Sequence, residues 1–169
     1  GYTSWNTSLN QAKPCGAQNC LKVKVDRNGA ARINSYIKSV RPGGGTDANT
    51  WAKIAEQYYN HNSDSPIDKN SPCQGSYVIV IGDGDMSNTS SAENKVRNLL
   101  NQKKVKTFTV AYGGGLSSNG IRQLDRIAKA GGTSRVIKAD TTDQLKAQLN
   151  AAIRSCLLYT SDAADEVLG

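Results

Sequence analysis

The sequence predicts a single α/β domain, a doubly wound and mostly parallel sheet with helices on both faces. Strand-like and helix-like segments alternate along the chain from Leu21 onward, which is the pattern of α/β proteins. Residues 77–81, YVIVI, are continuously apolar, as in a strand that is buried on both faces of a parallel sheet. A chain of 169 residues is long enough to bury the core of one such domain.

The spacing of apolar residues assigns the elements of this domain. The predicted strands are, in chain order, residues 21–25, 77–81, 105–111 and 135–139. The predicted helices cover residues 33–40, 51–58, 92–100, 121–128 and 145–153. Residues 90–93 and 141–144 match the capping box that begins a helix. The glycine pair at 131–132 is a typical helix end.

The last segment, residues 156–169, is expected to be foreign to the domain. Residues 156–166, CLLYTSDAADE, resemble the translation of a transposon-end adapter used to build sequencing libraries. We therefore place the domain at residues 1–155. The tail holds 3 of the 14 acidic residues and none of the 21 basic ones, which leaves 11 acidic residues and a net charge of +10 for the domain.

This positive charge does not by itself predict a nucleic-acid partner. The basic residues are spread along the chain without interleaved aromatic residues or an RNA-binding signature, which favours solvated helix faces and strand edges. No apolar run approaches the ~18 residues that are needed to span a bilayer. We expect neither nucleic-acid binding nor a membrane span.

The cysteines favour an oxidising compartment. Cys15 and Cys20 lie five residues apart in the turn-rich segment CGAQNC, where a small disulfide loop would fit. A zinc site is the alternative, and it would need more ligands than Cys73 and His61 provide. Cys73 has no predicted partner within the chain, and we expect one upstream of Gly1.

Two glycine-rich loops carry the residues that could bind a ligand. In doubly wound folds, ligands bind beyond the carboxyl ends of the strands. Residues 43–47, GGGTD, lie between two predicted helices, and residues 82–87, GDGDMS, directly follow the strand 77–81. Their oxygen donors suit Mg²⁺ or Ca²⁺, and glycine lets the backbone approach an ion closely. Without a metal, Thr46 or Asp47 would cap the next helix, and Asp83 would belong to a plain turn.

The order of these motifs resembles the von Willebrand factor type A (vWA) domain. GGGTDANTW at 43–51 and CQGSYVIVIGDGD at 73–85 are similar to the vWA domain of type IV pilus tip adhesins of the PilY-like kind. The similarity continues downstream to residue 153. The resemblance implies that the Thr46 hydroxyl and the Asp83 carboxylate hold Mg²⁺ or Ca²⁺, with Asp85 as a further candidate.

The resemblance also implies a function, that of a metal-dependent adhesion or protein-binding module rather than an enzyme. The protein would belong to a bacterial surface or pilus, reached through the periplasm, and would be extracellular or attached to the cell. Its partners would be a protein ligand, pilus components or host surfaces. A secreted vWA protein without a link to pili is one alternative.

One departure from the family pattern concerns the first metal motif. No Asp-x-Ser-x-Ser stands upstream of Thr46, and the opening GYTSWN resembles the family's second strand. We therefore expect an N-terminally truncated vWA domain that lacks its first strand, its first helix and most metal ligands. Residues 1–155 are expected to fold poorly alone and to bind Mg²⁺ weakly or not at all.

A competing placement puts the first metal motif later in the chain. Asp85, Ser87 and Thr89 match Asp-x-Ser-x-Thr after a strand, and Thr133 stands in a later AGGT. On this placement the strand 77–81 would be the family's first strand, and the site would surround Asp85.

The motifs of most α/β enzymes are absent from the sequence. It contains no phosphate-binding G-x-x-x-x-G-K-[ST] and no G-x-S-x-G nucleophile elbow. The single histidine, His61, lies in a polar loop, where a solvated surface role is expected. The strongest enzyme alternative is a Mg²⁺-dependent phosphoester hydrolase built on Asp83 and Asp85.

Overall fold

Helices and strands alternate along the described part of the chain, as the sequence predicts. The structure is a computed structural model that describes residues 1–3, 21–41, 45–71 and 74–165. Its elements are α1 (Gly29–Ile37), α2 (Ala48–Tyr59), β1 (Tyr77–Gly82), α3 (Thr89–Lys103), β2 (Lys106–Tyr112), α4 (Ser118–Ala130), β3 (Ile137–Ala139) and α5 (Thr142–Asp165).

The described strands form a parallel sheet in the order β1–β2–β3. β1 pairs with β2 along its whole length, with Ile79 opposite Phe108. β2 pairs with the short β3, with Val110 opposite Ile137. This parallel sheet with helices around it confirms the predicted α/β class. Within the described residues, β2 is central, and β1 and β3 are each paired along one edge only.

The second edge of β1 is open in the described part of the chain. Lys106 N donates to Ser76 O on the β2 side. The backbone groups of successive residues in a strand point to alternate edges, so those of Ile79 and Ile81 point away from β2. The Tyr59 hydroxyl donates to Tyr77 O, 2.8 Å away, at this edge. Burial raises the pKa of Tyr59 to about 12, so this hydroxyl stays a donor at physiological pH.

The prediction that residues 77–81 are buried on both faces is wrong, because only Val80 is buried, whereas Tyr77 and Val78 are half-buried and Ile79 and Ile81 are exposed. The side chains of Ile79 and Ile81 are 41% and 45% exposed. They share one face of β1, and no described element covers that face or pairs with the open edge. The apolar run YVIVI therefore forms a strand that is covered on one face only by the described residues.

The opposite face of the sheet packs against α2, α3 and α4. Val80 and Ala111 from the strands meet Leu124 of α4 there, and the buried Thr109 hydroxyl donates to Leu124 O over 2.9 Å. The main cluster of buried apolar residues contains Ala48, Trp51, Ala52, Val80, Met86, Ala92, Val96, Ala111, Leu124, Ile127 and Val136. This core joins the helices to the strand ends that carry the predicted site.

Two predicted helix ends are confirmed, the end of α4 and the start of α5, and a third, the start of α3, is not. Gly131 ends α4, and Gly132 has a φ of +78° that suits glycine. α5 has Thr141 as its cap, with Gln144 N donating to the Thr141 hydroxyl oxygen over 3.3 Å. The capping box predicted at 90–93 is wrong, because α3 begins at Thr89 after Asn88, whose side chain makes no capping bond.

The amino-terminal elements form less fully than predicted. The strand predicted at 21–25 is reduced to one antiparallel bridge, between Val23 and Tyr2. α1 contains three of the four apolar positions that predict the helix 33–40 and ends at Ile37, before Val40, and Ile37 remains 50% exposed. A strand needs a paired neighbour to be stable, and none of the described strands pairs with this segment.

The boundary predicted after residue 155 lies inside α5, which continues to Asp165, and it stays a prediction. Among the described residues, no helix is long and apolar enough to cross a membrane.

Gly131→Ala should test the contact between the end of α4 and β2. A methyl group at Gly131 would lie less than 3.0 Å from Thr107 Cβ and 3.2 Å from Thr107 Cα. Overpacking of this kind costs about 1–3 kcal/mol, and we expect a loss of that size in the free energy of unfolding, measured by urea denaturation. Gly114→Ala is the control, because no heavy atom lies within 4 Å of its added carbon. Equal unfolding free energies for Gly131→Ala and Gly114→Ala would show that α4 can shift away from β2 at no cost.

Candidate metal-binding site

Backbone hydrogen bonds join the two predicted ligand loops. Asp47 and Ser87 form an isolated parallel bridge. Ser87 N donates to Thr46 O over 2.9 Å, and Ala48 N donates to Ser87 O over 3.0 Å. The loop that precedes α2 is therefore fixed beside the loop that follows β1.

The start of α2 determines where Thr46 lies. Asp47 is the N-cap, and its carboxylate accepts from Asn49 N over 2.9 Å. Ala48 is fully buried in the main core. Asp47 thus caps α2, as expected of Thr46 or Asp47 in the absence of a metal. The Thr46 side chain is therefore not needed as the cap of this helix.

Thr46 and Asp83 are among the residues that line one cavity, which extends along β1 from Tyr77 to Asp83. The cavity has a volume of about 560 Å³, and its walls include Trp51, Ile79 and Ile81. Asp83 is exposed, and its carboxylate has no hydrogen-bond partner within the described ranges. The wall of this cavity thus includes both predicted ligands, and their joint binding of an ion stays a prediction.

These two oxygen donors would make up part of a metal site. Mg²⁺ takes six ligands in near-octahedral geometry and keeps several waters. A hydroxyl and a free carboxylate are suitable hard donors for it. No group of three or more His, Cys, Asp or Glu side chains in the described part of the chain could hold a metal ion. Thr46 and Asp83 fit such an ion only as a subset of its ligands.

Asp85 is turned towards α4. Its carboxylate accepts hydrogen bonds from the Ser117 hydroxyl and from Asn119 Nδ2, the latter over 3.1 Å. The Ser117 bond is the main cause that holds the pKa of Asp85 below its usual range, and the Asn119 bond adds to it. Both carboxylate oxygens are thus engaged in fastening the loop after β1 to the first turn of α4. The role of Asp85 as a ligand stays a prediction.

Gln123 is a site-forming residue that the sequence analysis missed. Its side chain binds both backbone groups of Met86, in the loop after β1. The contact joins residues 37 apart, and no local pattern points to it. Ser117, also missed, has a local signal, because it caps α4 by accepting from Gly120 N.

The structure does not bring together Asp85 and Thr133, the residues of the competing placement. Thr133 precedes β3, and its hydroxyl lies 2.8 Å from Thr107 O and 3.0 Å from Ala128 O. Because the strands are parallel, residues before β3 lie at the amino edge of the sheet, whereas Asp85 follows β1 at the carboxyl edge. The two cannot share one ion.

Several other candidates lie away from the site or outside the described residues. His61 follows α2, and its Nδ1 accepts from Asp64 N over 3.2 Å. Cys15 and Cys20, the predicted disulfide, lie outside the described residues, as do Cys73 and the first two glycines of the GGGTD loop.

An α/β domain with two oxygen-bearing loops at the carboxyl edge of a parallel sheet defines a class of ligand-binding domain. The model of the family described as von Willebrand factor type A domain matches residues 21–152. The match covers more than half of the 169 residues, and the chain belongs to this family. A search of curated proteins found no match. Members of the family commonly bind a divalent metal and mediate protein interactions.

Ser117→Ala is expected to raise the pKa of Asp85 towards its usual value, because it removes the main hydrogen bond to the carboxylate. It also removes the cap of α4 at a cost of about 1 kcal/mol. The stabilisation from the lowered pKa is present above the usual carboxyl pKa and is lost as the pH falls through the folded-state value, so the variant loses part of it. A ¹³C NMR titration of Asp85 measures the shift.

The control for this titration is Ser118→Ala, at an exposed residue that begins α4 without capping it. It should leave the pKa of Asp85 in place. An unchanged titration in Ser117→Ala would mean that Asn119 alone orients the carboxylate.

Proposed function

We propose that this chain is part of a metal-dependent adhesion or protein-binding module of a bacterial surface protein. Thr46 and Asp83 would hold Mg²⁺ or Ca²⁺ together with ligands from elsewhere in the protein. The single observation that supports this most is the pairing of Ser87 with Thr46 and Ala48, because it joins the loop that carries Thr46 to the loop that carries Asp83.

The chemistry of the two donors favours recognition of an acidic partner. When bound, the cation would offer an open coordination position to a carboxylate or similar oxygen of the partner. Thr46 contributes a neutral hydroxyl, so Asp83 is the one charged donor of the pair. Asp85 is bonded to Ser117 and Asn119 instead. These two donors alone neutralise one of the ion's two charges and leave attraction for an acidic partner.

We also propose that a strand and a helix complete the sheet beside β1 in the whole protein. The open edge of β1 presents the backbone of Ile79 and Ile81, and both side chains are more than 40% exposed. A neighbouring strand would pair with these groups, and a helix would cover the two side chains. Unpaired apolar edges promote aggregation, which supports a covering element.

A location outside the cytoplasm and a link to type IV pili remain proposals that rest on the motif resemblance. A secreted vWA protein without pili would have the same site. Binding to isolated pilus components separates the two.

Thr46→Val and Asp83→Asn should each weaken Mg²⁺ or Ca²⁺ binding to the whole protein, because the first removes a hydroxyl ligand and the second replaces a charged carboxylate by a neutral amide. We expect a loss of at least about tenfold in affinity, or ~1.4 kcal/mol, by isothermal titration calorimetry. Asp143→Asn is the control, since its carboxylate is 97% exposed on α5.

Two results would contradict the proposed site. Equal affinities in all variants would place the ion elsewhere. Turnover of a generic phosphoester that requires Asp83 and Mg²⁺ would favour the hydrolase instead.

Ile79→Thr tests the covering strand. If a strand and a helix bury this side chain in the whole protein, the substitution should cost about 2 kcal/mol of unfolding free energy or more. Val80→Thr is the matched control, because Val80 is 3% exposed and faces the described core, and it should be costly in either case. If Ile79→Thr stays within about 0.5 kcal/mol of the parent while Val80→Thr does not, β1 is a true edge.

A further inference from the structure

The side-chain amide of Gln123 binds the backbone of Met86 at both of its polar groups. Met86 N donates to Gln123 Oε1 over 2.9 Å, and Gln123 Nε2 donates to Met86 O over 2.9 Å. Met86 lies in the loop after β1, outside the sheet, where its backbone has no strand neighbour. The amide of Gln123 satisfies both groups as a strand would.

Met86 is held on its side chain as well. That side chain is 4% exposed and belongs to the main core cluster with Leu124 and Ile127 of α4. The residue is therefore fixed to α4 through its backbone and through its apolar packing.

The next residue, Ser87, carries this constraint to the second loop. Its N–H and C=O bind Thr46 O and Ala48 N. A continuous series of hydrogen bonds thus runs from Gln123 through residues 86–87 to Thr46. Asp83 lies three residues before Met86 on the same loop. The contact with Gln123 therefore connects the loops of both predicted ligands to α4, in addition to the bonds that Ser117 and Asn119 make with Asp85.

The first turn of α4 shows that the loop is held closely. A carbon added at Gly120 would lie 2.7 Å from Asp85 Oδ1 and 3.3 Å from the Gly84 carbonyl. The loop has no room to move towards α4, and Gln123 prevents it from moving away.

We infer that Gln123 is a positioning residue that fixes the position of Thr46 relative to Asp83. The part of this inference that concerns the cation rests on the proposed function. The part that concerns the two loops rests on the hydrogen bonds alone.

Gln123→Met tests the inference in the whole protein, because methionine keeps the length of the side chain and loses both hydrogen bonds. Residues that orient metal ligands typically change metal affinity by about 10- to 100-fold when they are substituted. We expect the affinity for Mg²⁺, measured by calorimetry, to fall within that range. We also expect amide hydrogen exchange at Ser87 and Ala48 to speed up by about tenfold or more. Gln123→Asn, which stays polar but is too short to reach both groups, should act in the same direction.

Gln148→Met is the matched control. Gln148 Nε2 donates to Lys138 O over 2.7 Å, so the variant also loses a glutamine-to-backbone bond, but on α5 beside β3. Its loss should lower the melting temperature without changing the affinity for Mg²⁺ or the exchange at Ser87 by more than about twofold, since distant sites act independently. If Gln123→Met and Gln148→Met changed the Mg²⁺ affinity and the exchange at Ser87 equally, Gln123 would have only a structural role and the inference would be overturned.

The two readouts separate this inference from the proposed function. If the parent protein does not bind Mg²⁺ or Ca²⁺, the proposed function fails, and exchange at Ser87 and Ala48 decides the inference by itself. Faster exchange in Gln123→Met but not in Gln148→Met supports it. Unchanged exchange or unchanged Mg²⁺ affinity in Gln123→Met overturns it.

Discussion

The candidate site depends on the backbone pairing between Ser87 and the residues around Thr46. These two hydrogen bonds, of 2.9 and 3.0 Å, connect loops that are about 40 residues apart in the sequence. They are the backbone contacts that hold the loop of Thr46 beside the loop of Asp83. The pairing is short, and isolated bridges are weak on their own. Its persistence therefore requires support from the core, which α4 supplies through Met86.

The support is unequal on the two sides of the site. On the α4 side, Ser117, Asn119 and Gln123 all bind the loop after β1, and the core beneath is closely packed. On the β1 side, the cavity of about 560 Å³ is bordered by exposed isoleucines and an unpaired strand edge. The loops of the two candidate ligands are thus held from α4, whereas the side of β1 leaves room for further elements.

Much of the fold could be predicted from the sequence, because α2, α4, β1 and β2 depend on local apolar spacing. The loops that carry Thr46 and Asp83 were also predicted, since they follow from strand ends and glycines. The exposure of Ile79 could not be predicted, because a run of apolar residues indicates burial without saying which neighbours provide it. The contact of Gln123 with Met86 spans 37 residues, and no periodicity reports a side chain that binds a distant backbone.

The topology also limits how the open side can be filled. In the described sheet every pair of strands is parallel, so all carboxyl ends lie at the edge that carries Asp83. A strand that paired with β1 in the same direction would bring the residues after its own carboxyl end to the cavity beside Thr46 and Asp83. An antiparallel strand would bring the residues before its amino end there instead. An oxygen-rich motif directly after an added strand therefore reaches the candidate ligands Thr46 and Asp83 only if that strand is parallel to β1. Two parallel neighbouring strands require a crossover connection, which is usually a helix.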